Sequence, residues 1–200
     1  MAKNNNPKVI TETHFYACWN ASTQEVFRLQ LLNSYAVDFE RVAFDNFMNG
    51  KSVNYLESPG FKEWIAKIRE KRNEGVSVIN LHVVDLPISD YFRFGIGFLR
   101  ISEQSGQESR FLERKRAELL LKDFQDFYLF DSKTIMLVNY DDKGGFLSLS
   151  NPITDPKTIS RSICLRDELM KISIPMETFI SQNNIDLASK PNVKRNKIMI

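Results

Sequence analysis

Nine consecutive residues, Val76 to Val84 (V-S-V-I-N-L-H-V-V), place the strongest constraint on how this chain can fold. They are rich in β-branched side chains and almost continuously apolar. A strand with one wet face alternates apolar and polar residues. An unbroken apolar run suits a strand covered on both faces, at the centre of a sheet with a layer on either side. Pro87 ends the run, and Ser89 or Asp90 follows as a helix cap.

The rest of the chain supplies partners for such a strand. Val26 to Leu32 reads as a short strand interrupted by Arg28 and Gln30. Asp38 predicts a helix start, with Phe39, Val42, Ala43 and Phe47 at helical spacing and Gly50 as the stop. Ser58-Pro59 predicts a second helix with Phe61, Trp64, Ile65 and Ile68 buried, a mostly wet face of Lys67, Arg69, Lys71 and Arg72, and Gly75 at its end. Tyr91, Phe94, Phe98 and Ile101 share one face of a third helix, and Glu103 to Gln107 reads as a loop around Gly106. A short strand is expected at Arg110 to Leu112. A meander follows in D-F-Y-L-F-D (Asp126–Asp131), Thr134–Tyr140 and Phe146–Leu149, turning at Ser132-Lys133 and at Asp141–Gly145. Asp155-Pro156 opens a last long helix through about Ile172, with Ile159, Ile163 and Leu169 in the core, and Pro175 begins a short extension. The order predicts an α/β or α+β fold, a mixed central sheet with helices packed on it.

Composition sets the class. The chain has 200 residues, 42% hydrophobic and 26% charged, with 15 Phe, which fits one globular domain and is too aromatic for a disordered chain. No run of about 20 apolar residues predicts a membrane span. Met1 to Asn6 is polar, so no secretory leader is expected. Cys18 and Cys164 cannot make a disulfide scaffold and read as small packing residues of a reduced, cytoplasmic protein. The expected layout is a disordered tail over residues 1–11, one domain over 12–182 and a basic tail over 183–200. The formal charge of +2 hides an asymmetry: Lys190, Lys194, Arg195 and Lys197 give the tail its excess, and the body is slightly acidic. A nucleic-acid binder normally carries its basic stripe on the folded body.

Signatures of catalysis are sparse. His14 and His82 are the only histidines, and no H-x-x-x-H, C-x-x-C or H-E-x-x-H motif occurs, so no zinc site is expected. His82 shares a strand face with Asn80 and reads as a structural, hydrogen-bonded imidazole. Gly95, Gly97 and Arg100 form G-I-G-F-L-R inside a helical pattern, without the third glycine or the strand-to-helix context of a dinucleotide site. Neither a phosphate loop nor a nucleophile elbow is present. What remains is a set of charges in apolar surroundings: Arg28 within Phe27–Leu32, Asp126 and Asp131 flanking Phe127–Phe130, and Glu108 with Arg110 after a glycine. Buried charges pair with something. They form either an internal network that fixes strand register or a polar pocket for a small anionic ligand or partner peptide.

The same segments carry a resemblance. Phe27-Arg28-Leu29 leading to Ser34-Tyr35-Ala36-Val37 and Glu40, Gly75 with Val83-Val84, Pro87 and Ser89-Asp90-Tyr91, Gly106 with Arg110, and Asp126 to Asp131 followed by Tyr140 together resemble an uncharacterised, actinomycete-rich bacterial family, domain-of-unknown-function family 6879. The resemblance covers residues 24–175, and genes of that family often lie beside helix-turn-helix regulators. The family also looks like a degenerate phospholipase D-like half-domain without its catalytic motif. His14 precedes Phe15-Tyr16 and His82 precedes Val83-Val84, so no H-x-K pair is present. Gln30 stands where the family carries an acid, Ile79, Asn80 and His82 where it has an arginine-rich strand, and Gly106-Gln107-Glu108-Ser109-Arg110 where it reads Gly-Glu-Asp-Ile-Arg. Losing both signs together points to one coupled ion network rather than to an acid–base catalyst, because an amide cannot shuttle the proton.

These readings lead to an expected non-catalytic regulatory or protein-interaction module that senses a ligand and acts with a helix-turn-helix transcriptional regulator. The candidate binding residues are Arg28, Glu40, Tyr91, Arg93, Glu108, Arg110, Asp126 and Asp131, with Tyr91 and Arg93 as surface anchors. No catalytic residue, metal, cofactor or membrane contact is expected. Two alternatives stay open: a hydrolase or nuclease-like toxin using Asp126, Asp131 and Glu108, and weak nucleic-acid binding through the basic tail.

Overall fold

The computed structural model describes the backbone of residues 7–187 and the side chains of residues 12–187. Seven strands form one mixed sheet: β1 (Glu25–Gln30), β2 (Ser77–Val84), β3 (Gln107–Glu113), β4 (Phe127–Phe130), β5 (Thr134–Tyr140), β6 (Phe146–Leu149) and β7 (Ile174–Pro175). Their spatial order is β6-β5-β4-β1-β2-β3-β7. Strands β1, β2 and β3 run parallel, and the others join antiparallel. The expected mixed sheet with packed helices is what forms, and Val76 to Val84 supplies its middle strand, buried from Val78 to Val84.

The helices are α1 (Pro7–Ala21), α2 (Arg41–Met48), α3 (Phe61–Asn73), α4 (Asp90–Ser105), α5 (Glu118–Leu121), α6 (Pro156–Ile172) and α7 (Met176–Gln182). One sheet face packs on α6: Phe27, Leu29, Leu81, Leu112, Phe127 and Leu129 meet Leu165 and Leu169. The other face carries α1, α3, α4 and α7. Phe15 and Trp19 of α1 lie on Val26, Tyr128, Phe130 and Met136. Phe61, Ile65 and Ile68 of α3 meet Phe94 and Phe98 of α4. Met176, Phe179 and Ile180 of α7 close on Phe92 and Phe111. Fully burying a side chain of this size contributes about 1.5–3 kcal/mol, so both layers anchor the sheet.

Local signals act largely as their chemistry dictates. The Ser89 hydroxyl accepts the Phe92 N–H at 3.1 Å, and the Asp155 carboxylate accepts the Thr158 N–H at 2.8 Å, each satisfying an orphan donor of a first helical turn. Several expectations need correction. Helix α1 starts at Pro7, inside the segment expected as tail, with Phe15, Cys18 and Trp19 at helical spacing. Helix α3 starts at Phe61 rather than at Pro59, because Gly60 takes a left-handed conformation (φ 74°) that breaks the helix. Phe39 and Val42, expected on one helical stripe with Ala43 and Phe47, are 52% and 70% exposed, and Phe39 lies in a 3-10 turn over Asp38–Glu40 ahead of α2. No loop separates α4 from β3; Gly106, at φ 115°, turns the chain within one residue.

Lys71 is the sharpest exception to the expected wet face of α3. It is 2% exposed, and its ammonium donates to the Asn20 and Ser22 carbonyls and to Glu74. It caps the open carbonyls at the end of α1, where a cation is favoured. Cys164 is exposed rather than packed. The cationic residues of the C-terminal tail, Lys190 to Lys197, lie outside the described residues.

Candidate functional site

Side chains alternate along a strand, so register decides which polar residues meet. Arg28 pairs with Asn80 across β1 and β2, and Gln30 pairs with His82. Asn80 pairs with Ser109 on β3, and Arg28 pairs with Tyr128 on β4. All of these point to the face covered by α1, α3 and α4. They form a polar patch on an otherwise apolar sheet. Above it lies a cavity of about 660 Å³, lined by Arg28, Gln30, Glu40, Asn80, His82 and Gln107 together with Tyr16, Trp19, Trp64, Tyr91 and Tyr128. That volume is within the usual range for small-molecule sites.

Arg28 is the centre of the patch. Its guanidinium carbon lies 5.1 Å from the centroid of the Tyr128 ring. Burial works against its charge, but the surrounding Tyr128, Tyr140, Tyr35 and Asp126 outweigh burial and hold it above the ordinary arginine range. Asp126, just before β4, accepts the Leu31 N–H at 2.8 Å, the Tyr35 hydroxyl at 2.7 Å and the Tyr140 hydroxyl at 3.1 Å. Glu40 accepts the Tyr91 hydroxyl at 2.9 Å. Burial pushes both acids above the usual carboxylate range, against the pull of these donors and of Arg28. The same burial raises Tyr35, Tyr91 and Tyr140, so the phenols remain donors.

His82 is 5% exposed and Asn80 8%. Both ring nitrogens of His82, Oδ1 of Asn80 and Nε of Arg28 are buried without a hydrogen-bond partner. The expected hydrogen-bonded imidazole is therefore corrected: His82 packs against the Phe92 and Phe111 rings, at 5.6 and 5.3 Å between ring centroids. Burial first, and Arg28 second, lower its pKa to about 3. It is a neutral ring.

The remaining candidates separate from this cluster. Glu108 and Arg110 pair with Ile79 and Leu81, which places them on the opposite sheet face. There Arg110 donates to Glu108 at 2.7 Å and to the Ser173 hydroxyl and carbonyl at 2.9 and 2.6 Å, tying β3 to the end of α6. Asp131 sits at the far end of β4 and accepts the backbone N–H groups of Thr23, Gln24 and Glu25, each at 2.9 Å. Arg93 pairs with Asp90 at 3.0 Å and is largely covered, so it is not a surface anchor; Tyr91 faces inward as well. Asp126 and Asp131 are five residues apart along an extended segment, roughly 16 Å, and Glu108 is on the other face, so the three acids do not share a site. Among the described residues, no group of three or more His, Cys, Asp or Glu comes together.

The single expected ion network is thus split: Glu108 pairs with Arg110 on the other face and Asp131 caps backbone N–H groups. Arg28, Glu40 and Tyr91 line the cavity, and Asp126 joins them through the Tyr35 hydroxyl. Tyr35, Tyr128, Tyr140, Asn80 and His82 belong to the same cluster but were not among the candidates. The signal for them is the i, i+2 repeat of polar residues in two apolar strands, Arg28/Gln30 and Asn80/His82.

The family model described as "Domain of unknown function (DUF6879)" matches residues 13–181. The chain belongs to the DUF6879 family. The match spans all seven strands of the sheet and includes every cavity residue named above. No curated protein matches the DUF6879 chain. Among solved structures it is similar to NucT from Helicobacter pylori, with 10% identity and a TM-score of 0.48 over 84% of this chain and 94% of that one.

Proposed function

We propose that this DUF6879 chain is a non-catalytic ligand-sensing module of a bacterial cytoplasmic regulatory system, acting with a helix-turn-helix transcriptional regulator. The observation that carries the sensing role is that Arg28, Asn80 and His82 line a 660 Å³ cavity and also carry buried hydrogen-bonding atoms without partners. Buried polar groups without partners cost about 1–3 kcal/mol each. A fold under selection for stability alone would carry apolar residues there; a binding site carries the cost because a ligand repays it.

A route from ligand to partner is supported by Phe39. It lines the cavity and is also half exposed, next to Val42 at the surface. A ligand that moves Phe39 changes the apolar surface offered to a partner. The regulator as partner rests on the gene neighbourhood that the family resemblance implies. The family resemblance also implies a phospholipase D-like half-domain, but His82, the single histidine at the site, is neutral and precedes Val83-Val84 rather than an x-Lys pair, which supports a role other than phosphoryl transfer.

The test is recovery from native cells. The purified chain, denatured after gentle isolation or after incubation with a metabolite extract, is expected to release one small molecule in near-stoichiometric amount. Its Arg28→Met variant is expected to release none. A wild-type protein that releases no molecule under either condition overturns the reading, as does equal recovery from the variant. Co-purification of a DNA-binding regulator supports the partner; a pull-down that recovers no specific protein removes it.

A further inference from the structure

We infer that the cavity takes an uncharged planar heteroaromatic molecule, with one polar edge set against Arg28, Asn80 and His82 and its ring faces held among aromatic walls. This rests on the sensing reading and goes beyond it by naming the ligand class. It also departs from the anionic ligand that the charged residues of the sequence lead one to expect.

Charge excludes the anion. Among the described residues lining the cavity, Arg28 is the sole cation, against Glu12 and Glu40, with Asp126 directly behind. His82 is neutral and adds no positive charge. The Arg28 charge already lies in the field of Asp126 and Glu40, which accept phenolic hydrogen bonds. A phosphate or carboxylate would enter a site with no net positive charge, and burying an uncompensated charge is strongly unfavourable.

Arg28, Asn80 and His82 line the cavity, and the atoms left unmet just beneath its wall are Arg28 Nε–H, a donor, Asn80 Oδ1, an acceptor, and the nitrogens of a neutral imidazole, one donor and one acceptor, which a ligand reaches as these side chains turn toward it. The matching ligand edge therefore alternates acceptors and donors, as ring nitrogens, carbonyls and exocyclic amines do in nitrogen heterocycles. Geometry makes that edge flat. Arg28 and Asn80 are register partners on neighbouring strands, about 4.8 Å apart, and His82 lies two residues along from Asn80, about 6.6 Å. Tyr16, Trp19, Trp64, Phe92, Phe98 and Tyr128 supply the remaining walls, and such side chains favour flat π-systems over flexible chains.

The chain's two tryptophans, Trp19 and Trp64, both line the cavity, with ring centroids 4.9 Å apart. Tryptophan fluorescence therefore reports directly on occupancy. The experiment titrates the full chain with adenine, hypoxanthine and lumazine as uncharged probes, and with adenosine 5′-monophosphate and indole-3-acetate as anionic ones, confirmed by calorimetry. Saturable quenching by at least one uncharged probe is expected, with adenosine 5′-monophosphate at least tenfold weaker than adenine. Asn80→Leu and His82→Leu are each expected to weaken the best probe at least tenfold while melting at or above the wild-type temperature, which shows that they fold. Tighter binding of an anionic probe overturns the ligand class and leaves the sensing reading intact. Absence of saturable quenching by all three uncharged probes also overturns the class. The sensing reading itself falls only if the recovery experiment returns no molecule or returns it equally from Arg28→Met.

Discussion

At the scale of single residues, two side chains carry consequences that stability measurements can reach. His82 has a folded pKa near 3, against an unfolded value near 6.5. Between those values the unfolded chain binds a proton that the folded chain refuses, so this group makes stability fall as pH falls from about 6.5 towards 3. Asp126 and Glu40 are shifted upward and act in the opposite sense, so the comparison must be between variants. The stability advantage of His82→Leu over wild type is expected to widen from pH 7 to pH 4 by up to a few kcal/mol, measured by denaturant titration at each pH. A constant difference would mean that the imidazole is not held neutral. Asp126→Ala removes the acceptor for the Leu31 N–H and for two tyrosine hydroxyls. Leaving such donors buried and unmet is expected to cost about 2–4 kcal/mol, read from the shift in the urea midpoint. Arg28 and Asp126 were legible in the sequence because a charge inside an apolar run must find a partner. Tyr35 and Tyr140 were not, because tyrosine packs equally well as a plain core residue and only the fold shows what its hydroxyl reaches.

At the scale of elements, the two glycines of G-I-G-F-L-R lose their apparent chemical meaning and one acquires a structural one. Gly97 lies within α4, where a Cβ would stand 2.1 Å from the Tyr55 ring. Gly97→Ala is therefore expected to push Tyr55 off Phe94 and Phe98 and to destabilise by about 1–3 kcal/mol through overpacking, despite the better helix propensity of alanine. Thermal melts of the single substitution check this, and a rise in melting temperature would show that Tyr55 yields freely. Arg110 is a clamp between β3 and the end of α6. Arg110→Ala is expected to cost about 1–3 kcal/mol, since it leaves the Ser173 carbonyl without its charged donor, and to leave probe binding in the cavity unchanged. Altered quenching of Trp19 and Trp64 in that variant would contradict the separation of the two networks. Most elements were legible from hydrophobic period and from the caps Ser89 and Asp155. Helix α1 was not, although Phe15, Cys18 and Trp19 mark its buried side, and α7 was read only as an extension.

At the scale of the whole molecule, the sheet divides two layers with different tasks. The α6 layer is apolar throughout at its centre, whereas the α1, α3 and α4 layer encloses the polar cavity. Leu169→Ala on α6 is expected to cost about 2–5 kcal/mol as a large-to-small core substitution, while the affinity of the best uncharged probe stays within about twofold in conditions where the variant is folded. A parallel loss of affinity would mean that the layers are coupled through the sheet. The sequence by itself determined that a central strand is covered on both faces, that a meander follows it, and that several charges lie within apolar runs. These follow from local period, capping and the cost of burying charge. Only the tertiary structure decided which charges meet. Pairing Leu81 with Arg110, and Asn80 with Ser109, sends Arg110 and Glu108 to the α6 face and leaves Asn80 and His82 beside Arg28. A one-residue slip between β2 and β3 would reverse that assignment. Register between distant strands is set by the packing of whole layers, and no local stretch of sequence contains it.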